Sequence, residues 1–374
     1  VAADLVRVDQ VLPVFVSRDA IGVHTLNVQR ALHGAGIDSE IFFLRSTPEV
    51  ASLGHHVSEL ARSDPSRHVL YHSSIGSSVV NELGSLKGPL LIDYHNITPA
   101  RFFQRWAPAT ASEVALGRRQ LAELAPRCAG ALADSSYNER ELIDVGYRNT
   151  AVAPLLINIE EHNREVNQQL LELLVARKQA SGGPSFLFVG TLSPHKAPHD
   201  LVAMLATYRS LYHPKATLTL VGRPFEGRYS SALEGYVKAL DLSDAVTITG
   251  SLANEDLEAH WRSADVFTCA SDHEGFCVPM VEAMSHELPI VAYGVAAIPE
   301  TLGPAGLVLE DKTPVSFAAA IHRVLGDEAL RRQLIAAGSA KLAEYELPVA
   351  SARFLRALEG VLGALREVAR PGST

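Results

Sequence analysis

Short apolar runs recur along this 374-residue chain, most of them stopping at Gly or a polar loop and followed by a longer stretch with helical spacing. In the carboxyl half, six such runs read as strands: residues 185–190, 217–222, 245–250, 266–270, 289–293 and 306–309. They are rich in β-branched and aromatic residues, as strands buried on both faces of a parallel sheet must be. The amino half repeats the theme less regularly, at 11–16, 38–44, 68–71, 89–93 and 130–134. Between the halves, 158–183 is polar and acidic, then helical in pattern, and ends Ser-Gly-Gly-Pro, which marks a domain junction. In the last segment, 348–368, Phe354, Leu355, Leu358, Val361, Leu362 and Leu365 fall at helical spacing and read as a packing helix. The chain is longer than a single core supports. The expected organisation is therefore α/β, with two doubly wound Rossmann-like domains facing a central cleft: 1–157, a linker with a helix at 158–183, 184–347, and a terminal helix within 348–374.

The densest chemistry lies in Glu274-Gly-Phe-Cys-Val-Pro-Met-Val-Glu282, where two carboxylates eight residues apart flank a Gly, a Pro and an apolar run. The strand 266–270 precedes it, so Ser271 to Gly275 form the loop at the strand's carboxyl end and Pro279 opens a helix, a slot that suits its missing N–H. Glu282 is then expected in the first helical turn, where the helix dipole favours negative charge. Either carboxylate alone reads equally well as a loop-amide acceptor or a solvated acid. Two together, beside a glycine and at a strand's carboxyl end, point to a ligand carrying hydroxyl groups.

This segment resembles the E-x7-E motif of the family 4 retaining glycosyltransferases. The resemblance implies the GT-B fold, with a terminal helix crossing back to the first domain. It implies that Glu282 contacts the nucleotide ribose, and that Glu274 with the backbone of Gly275, Phe276, Cys277 and Val278 holds the donor sugar and diphosphate. Cys277 stands where the family commonly has glycine. The family's G-R-x-x-x-x-K pattern is met at Gly190-Thr-Leu-Ser-Pro-His-Lys196, with Thr191 in place of the arginine. Lys196 inherits the diphosphate role, against the bland alternative of a solvated loop lysine. Arg223, one strand along, either supplies part of the missing positive charge or is a surface arginine near a turn.

In the amino half, Ser17 to Thr25 join the first strand to a helix, and Gly22 either lets backbone amides approach a phosphate or sugar oxygen or simply makes the turn. Asp93-Tyr-His-Asn-Ile-Thr-Pro99 ends a strand. A lone His there is more often structural. Its neighbours Asp93 and Asn96 are expected to hydrogen-bond with it, and the match to the family's strand-end histidine implies that His95 positions the donor sugar. Asn96, Arg101 and Ser77 are candidates for the acceptor side. The basic and aromatic stretch Arg101-Phe-Phe-Gln-Arg-Trp106, with Arg118 and Arg119, fits an anionic acceptor or peripheral contact with a membrane surface. It equally fits core-facing rings with solvated arginines.

Composition narrows the partners. A net charge of −9 argues against nucleic acid. No run approaches the roughly 18 apolar residues of a membrane helix, and the amino terminus, which starts at Val1, lacks a basic-then-apolar signal, so a cytoplasmic protein is expected. Cys128, Cys269 and Cys277 are odd in number and lack C-x-x-C spacing, which predicts reduced thiols and no structural zinc. There is no G-x-G-x-x-G and no P-loop. With no D-x-D at a strand end, no metal and no cofactor are expected, the nucleotide sugar being a substrate.

The expected activity is transfer of a hexose from a UDP- or GDP-linked donor to a hydroxyl of a polysaccharide, glycolipid or natural-product acceptor, retention being implied by the resemblance alone. The alternatives are a sugar-nucleotide epimerase of similar architecture and a non-catalytic nucleotide-sugar-binding subunit. Donor base, sugar, acceptor, linkage and oligomeric state are left open at this level.

Overall fold

The computed structural model describes residues 7–16, 19–62, 64–159, 165–225 and 227–369, with backbone alone for 364–369. Ser17 and Arg18 of the expected loop, residues 160–164 of the junction and the side chain of Leu365 lie outside the described residues. The described residues of Val1–Ala100, Ala109–Asn158 and Tyr345–Thr374 form one compact unit, and those of Arg101–Pro108 and Ile159–Glu344 form a second.

The first unit is built on a parallel sheet of β1 (Val8–Phe15), β2 (Ile41–Ser46), β3 (His55–His56), β4 (His68–Ser73), β5 (Leu90–Tyr94), β6 (Cys128–Ala133) and β7 (Thr150–Val152). Their spatial order is β3-β2-β1-β4-β5-β6-β7. The direction of winding reverses between β1 and β4, and such a switch point opens a crevice at the strands' carboxyl ends. β5 is buried throughout and β1 at all but one position, which is why both read as near-continuous apolar runs. Pairing of β1 with β4 runs from Val8 to Val11, whereas pairing with β2 continues to Phe15. Pro13, which has no N–H to donate, sits where β1 keeps one partner. The second expected strand starts at Ile41; Asp38 contributes only an isolated bridge to Arg7. β3 and β7, at the sheet edges, were not anticipated, since two or three residues carry no readable period.

The second unit has β8 (Ser185–Val189), β9 (Thr217–Val221), β10 (Val246–Gly250), β11 (Val266–Cys269), β12 (Ile290–Tyr293) and β13 (Gly306–Leu309), in the order β10-β9-β8-β11-β12-β13. All pairings are parallel, and the reversal falls between β8 and β11. One face buries Phe186, Phe188, Leu205 and Ile321; the other buries Leu187, Phe267, Met280 and Met284. These are the six strands the apolar runs predict, with ends shifted by a residue.

The terminal helix Leu347–Ala369 packs on the first unit, as the fold resemblance implied. Phe354, Leu358, Val361 and Leu362 are buried there with Val28, Leu32, Leu70 and Leu132. Burying a ring such as that of Phe354 contributes roughly 1.5–3 kcal/mol. The helix approaches the sheet so closely that a Cβ at Gly130 would stand 2.2 Å from Val361 Cγ1. Asn149 Nδ2 donates to the Val361 carbonyl at 2.7 Å, fixing the same contact with a polar bond.

Candidate active site

In the second unit, the switch point between β8 and β11 brings together two loops that the sequence places 78 residues apart. After β8, the loop runs through Thr191 to a short turn, Pro194–Lys196; the Leu192 N–H donates to the Arg223 carbonyl at 2.9 Å, and Asp272 N–H to the His195 carbonyl at 2.7 Å. The second of these bonds ties the β8 loop to the β11 loop. Across the junction Lys196 Nζ donates to Glu274 Oε2 at 2.5 Å, and Ser271 Oγ donates to Glu274 Oε1 at 2.8 Å. Both carboxylate oxygens of Glu274, a 5% exposed residue, are therefore bonded. Burial works against the Lys196 ammonium, but the Glu274 carboxylate outweighs it and raises the lysine pKa above its ordinary value. A phosphate reaching Lys196 would share that cation with Glu274.

The helix Val278–Ser285 follows; Pro279 has no N–H and the Met280 N–H donates to the Cys277 carbonyl at 3.0 Å, so the Val278 N–H is the helix's own donor at the loop. Cys277 precedes it with φ 73° and ψ 68°, the left-handed region. That conformation explains why glycine is common here: a side chain costs about 1–2 kcal/mol in it. Pro279 is the second helical residue, and Glu282 the fifth, one residue deeper than expected and just past the first turn. Glu282, Phe276 and Cys277 are buried, while Gly275 and Val278 are half-buried. Arg223 is exposed at the end of β9.

Sequence reasoning missed what surrounds this loop pair. Residues 101–108 lie between β5 and β6 in the chain yet belong to the second unit. Phe103 packs edge-on to His195, at 5.4 Å between ring centres, and stacks on Phe225 at 5.6 Å. Phe102 meets His273 at 6.1 Å and Trp106 meets Tyr229 at 5.2 Å. The neighbours of both Lys196 and Glu274 are thus braced by one aromatic segment, and the reading of 101–106 as packed rings with exposed arginines is the one this geometry favours. Arg101 lies over the Phe102 ring at 4.7 Å. Lys312, also unanticipated, bonds Asp272 at 2.5 Å and Asp200 at 2.6 Å and steadies the β11 loop from the other side. No local pattern signals these contacts.

The first unit assembles a different group at its own switch point. His95 Nδ1 lies 3.0 Å from Asp134 Oδ1, and His95 Nε2 lies 3.0 Å from His72 Nδ1. His72 Nε2 is 2.9 Å from Gln10 Oε1, and His24 Nε2 is 2.9 Å from Asp93 Oδ2. All six residues are buried. The expected partners of His95 are corrected: Asp93 Oδ2 is 3.7 Å from Nε2, beyond a hydrogen bond, and Asn96, at φ 64°, donates instead to Asn138 Oδ1 at 2.8 Å. Ser77 Oγ accepts from the Val79 N–H at 3.2 Å, and its backbone is clasped by Gln120, a capping arrangement. A Cβ at Gly22 would fall 1.9 Å from the Val16 carbonyl, so close backbone packing requires this glycine whatever else it does.

The partners fix the protons. The Leu156 N–H donates to His24 Nδ1 at 2.9 Å, so the His24 proton sits on Nε2 and points at Asp93. Gln10 Oε1 can only accept, so His72 carries its proton on Nε2 and offers a lone pair at Nδ1. Burial lowers the His72 pKa to about 4, which keeps that lone pair free. His95 then donates from both nitrogens; burial opposes its charge, but Asp134 and Asp93 prevail and raise its pKa to about 9. Burial likewise opposes the Asp93 charge, yet His95 and His24 hold its carboxyl well below the ordinary range.

Among the described residues, two sets of side chains have ligand atoms within 4.8 Å of one another: His24, His72, Asp93 and His95, and Cys269, Glu274 and Cys277. Neither fits a metal ion. His24 has its free lone pair at Nδ1 turned to an amide proton, and Glu274 has donors on both oxygens.

Two doubly wound parallel sheets, the second with a Lys–Glu pair at its switch point, define a GT-B type α/β protein. Residues 175–341 match the family described as glycosyl transferases group 1. The D-inositol 3-phosphate glycosyltransferase of Kineococcus radiotolerans is similar, 30% identical over 260 residues, 64% of this chain and 57% of that protein. This chain spans about half the length of the curated relatives it matches, from 41% to 57% for the first three. Among solved structures, sucrose-phosphate synthase from Thermosynechococcus elongatus is similar with a TM-score of 0.72 and 18% identity, covering 96% of this chain and 100% of that one. Anabaena HepE in complex with UDP and glucose follows with a TM-score of 0.69 and 17% identity, over 93% and 99%. At these identities the structures speak for the fold alone.

Proposed function

We propose that this chain is a retaining glycosyltransferase that moves a hexose from a UDP- or GDP-linked donor to a hydroxyl acceptor. The observation that carries this reading is the Lys196–Glu274 pair, which stands beside the start of the helix Val278–Ser285, at the switch point of the sheet that matches the transferase family. A cation, a hydrogen-bonded carboxylate and a helix N–H in one place suit a diphosphate joined to a sugar. Electrostatic stabilisation of a leaving diphosphate is commonly the largest catalytic contribution in such chemistry. Lys196 meets the diphosphate, Glu274 a sugar hydroxyl, and Glu282 the ribose; the amides of Gly275, Phe276, Cys277 and Val278 line the phosphates, with Thr191 and Arg223 alongside. His95 takes part by positioning, not as a base.

The name of the Kineococcus relative gives an inositol phosphate as acceptor, and the HepE complex holds UDP and glucose. The second supports a nucleotide-sugar donor for this chain, and the first a polyol acceptor. No step calls on a metal ion, so turnover is expected to persist in a chelator. The decisive experiment screens UDP- and GDP-sugars for thermal stabilisation, then follows the anomeric signal of the product by NMR with an added polyol. Stabilisation by a nucleotide sugar and an unchanged anomeric configuration are expected. An inverted product, or no sugar nucleotide that stabilises the protein, would refute the reading.

A further inference from the structure

We infer that His72 is a positioning residue of the proposed transfer, holding the His95 ring doubly protonated so that the carboxyl end of β5 carries a fixed positive charge. The inference rests on the functional reading above for the word transfer, and on geometry for the charge. His95 has acceptors at both nitrogens: a carboxylate oxygen of Asp134, the residue after β6, and the Nδ1 lone pair of His72 from β4, each at 3.0 Å. That lone pair exists because Gln10, from β1, accepts the only proton of His72. Gln10 is itself oriented by its amide nitrogen, 3.3 Å from Ser39 Oγ. Asp93 Oδ2 also lies 3.4 Å from His72 Nδ1, but burial keeps His72 neutral; with a neutral His72 the chain Gln10, His72, His95, Asp134 has one consistent set of donors and acceptors, and it places an imidazolium at His95.

The charged and titratable groups around the ring agree. β5 itself supplies Asp93; the helix Ala20–Gly34 supplies His24, whose ring centre is 5.1 Å from that of His95; and Asp19, just ahead of that helix, adds attraction to the positive ring. The terminal helix presents the Phe354 ring to His24. Because both N–H groups of His95 are engaged within the protein, the ring acts on a ligand by its charge over a few ångström, which suits an electron-rich oxygen such as a phosphate or sugar hydroxyl. Were His72 absent, the Nε2 proton would lose its acceptor, and the ring would shed its charge at lower pH.

The test compares the full-length protein with His72→Leu, which removes the acceptor, and His72→Asn, whose amide oxygen can replace it. Nitrogen-15 NMR of the imidazoles is read without substrate, beside the pH profile of kcat. In the unaltered protein His95 is expected to show two protonated nitrogens near neutral pH. In His72→Leu its titration midpoint moves down by about one to two units, the size of one hydrogen bond to a charged group. There kcat falls on the order of 10²-fold with donor KM little changed, and the alkaline limb of kcat moves with the midpoint. His72→Asn returns the limb toward its original place. Asp134→Asn moves the midpoint the same way and serves if His72→Leu does not fold. A neutral His95 in an active enzyme overturns the inference alone, as does a loss in His72→Leu that is equal at every pH. A charged His95 in a protein that transfers no sugar overturns the functional reading, and the positioning role with it.

Discussion

The two switch points differ in how they handle charge. In the second unit, Lys196 and Glu274 form a pair between two loops, with the lysine side chain 23% exposed and open to exchange partners. In the first unit, the His95 charge is enclosed by Asp134, His72 and Asp93 and has every polar atom of its ring engaged. A site that must bind and release an anion needs groups that can change partners. A group that only supplies a field is better held still. The same position in two similar sheets thus serves two different electrostatic purposes.

The largest effect that probes this contrast comes from the exchangeable pair. Lys196→Ala is expected to lower kcat/KM on the order of 10²–10³-fold, and to lose about 3 kcal/mol of stability because it leaves the Glu274 carboxylate buried without its cation. The double change Lys196→Met with Glu274→Gln should recover much of the stability and none of the activity, read by chemical denaturation and turnover together. Recovery of activity would show the pair to be scaffolding.

Next, Gly130→Ala places a methyl group against Val361 and should destabilise the first unit by about 1–3 kcal/mol. Nucleotide-sugar affinity, measured by calorimetry below the melting range, should stay largely unchanged, since the proposed diphosphate and ribose contacts, Lys196, Glu274 and Glu282, lie in the second unit. A parallel loss of affinity would mean that the two regions are coupled.

The enclosed charge makes its own pH signature. The His95 pKa is raised from about 6.5 in the unfolded chain to about 9 in the folded one. The folded state therefore holds its proton more tightly, and the stabilisation is fully present below about pH 6.5 and lost as pH rises through about 9. Urea midpoints should fall across that window, and Asp134→Asn should flatten the fall. The smallest expected effect is that of Arg223→Ala: an exposed cation there contributes roughly a two- to fivefold change in donor affinity, and no change at all would remove Arg223 from the donor site.

Much of the second unit could be read from the chain. Its six strands are continuous apolar runs with Gly or polar ends, and its loop chemistry lies within two short segments, 190–196 and 274–282. Local spacing places Lys196 and Glu274 each at a strand's carboxyl end, and the sheet order then brings those ends together. Other parts had no local signal. β3 and β7 are too short for a period, the partners of Phe102, Phe103 and Trp106 lie some 90–170 residues away, and Glu282 sits one residue deeper, just past the first turn, because the helix begins at Val278.

The sequence by itself determined which segments become strands, where each one ends, and therefore which residues stand at the open edge of each sheet, because burial on both faces forces a continuous apolar run. Only the tertiary structure decided the proton pattern around His95. His72 and Gln10 come from two other strands and Asp134 from the end of a third, and whether a buried imidazole is neutral or charged depends on which donors and acceptors parallel pairing places within 3 Å of it.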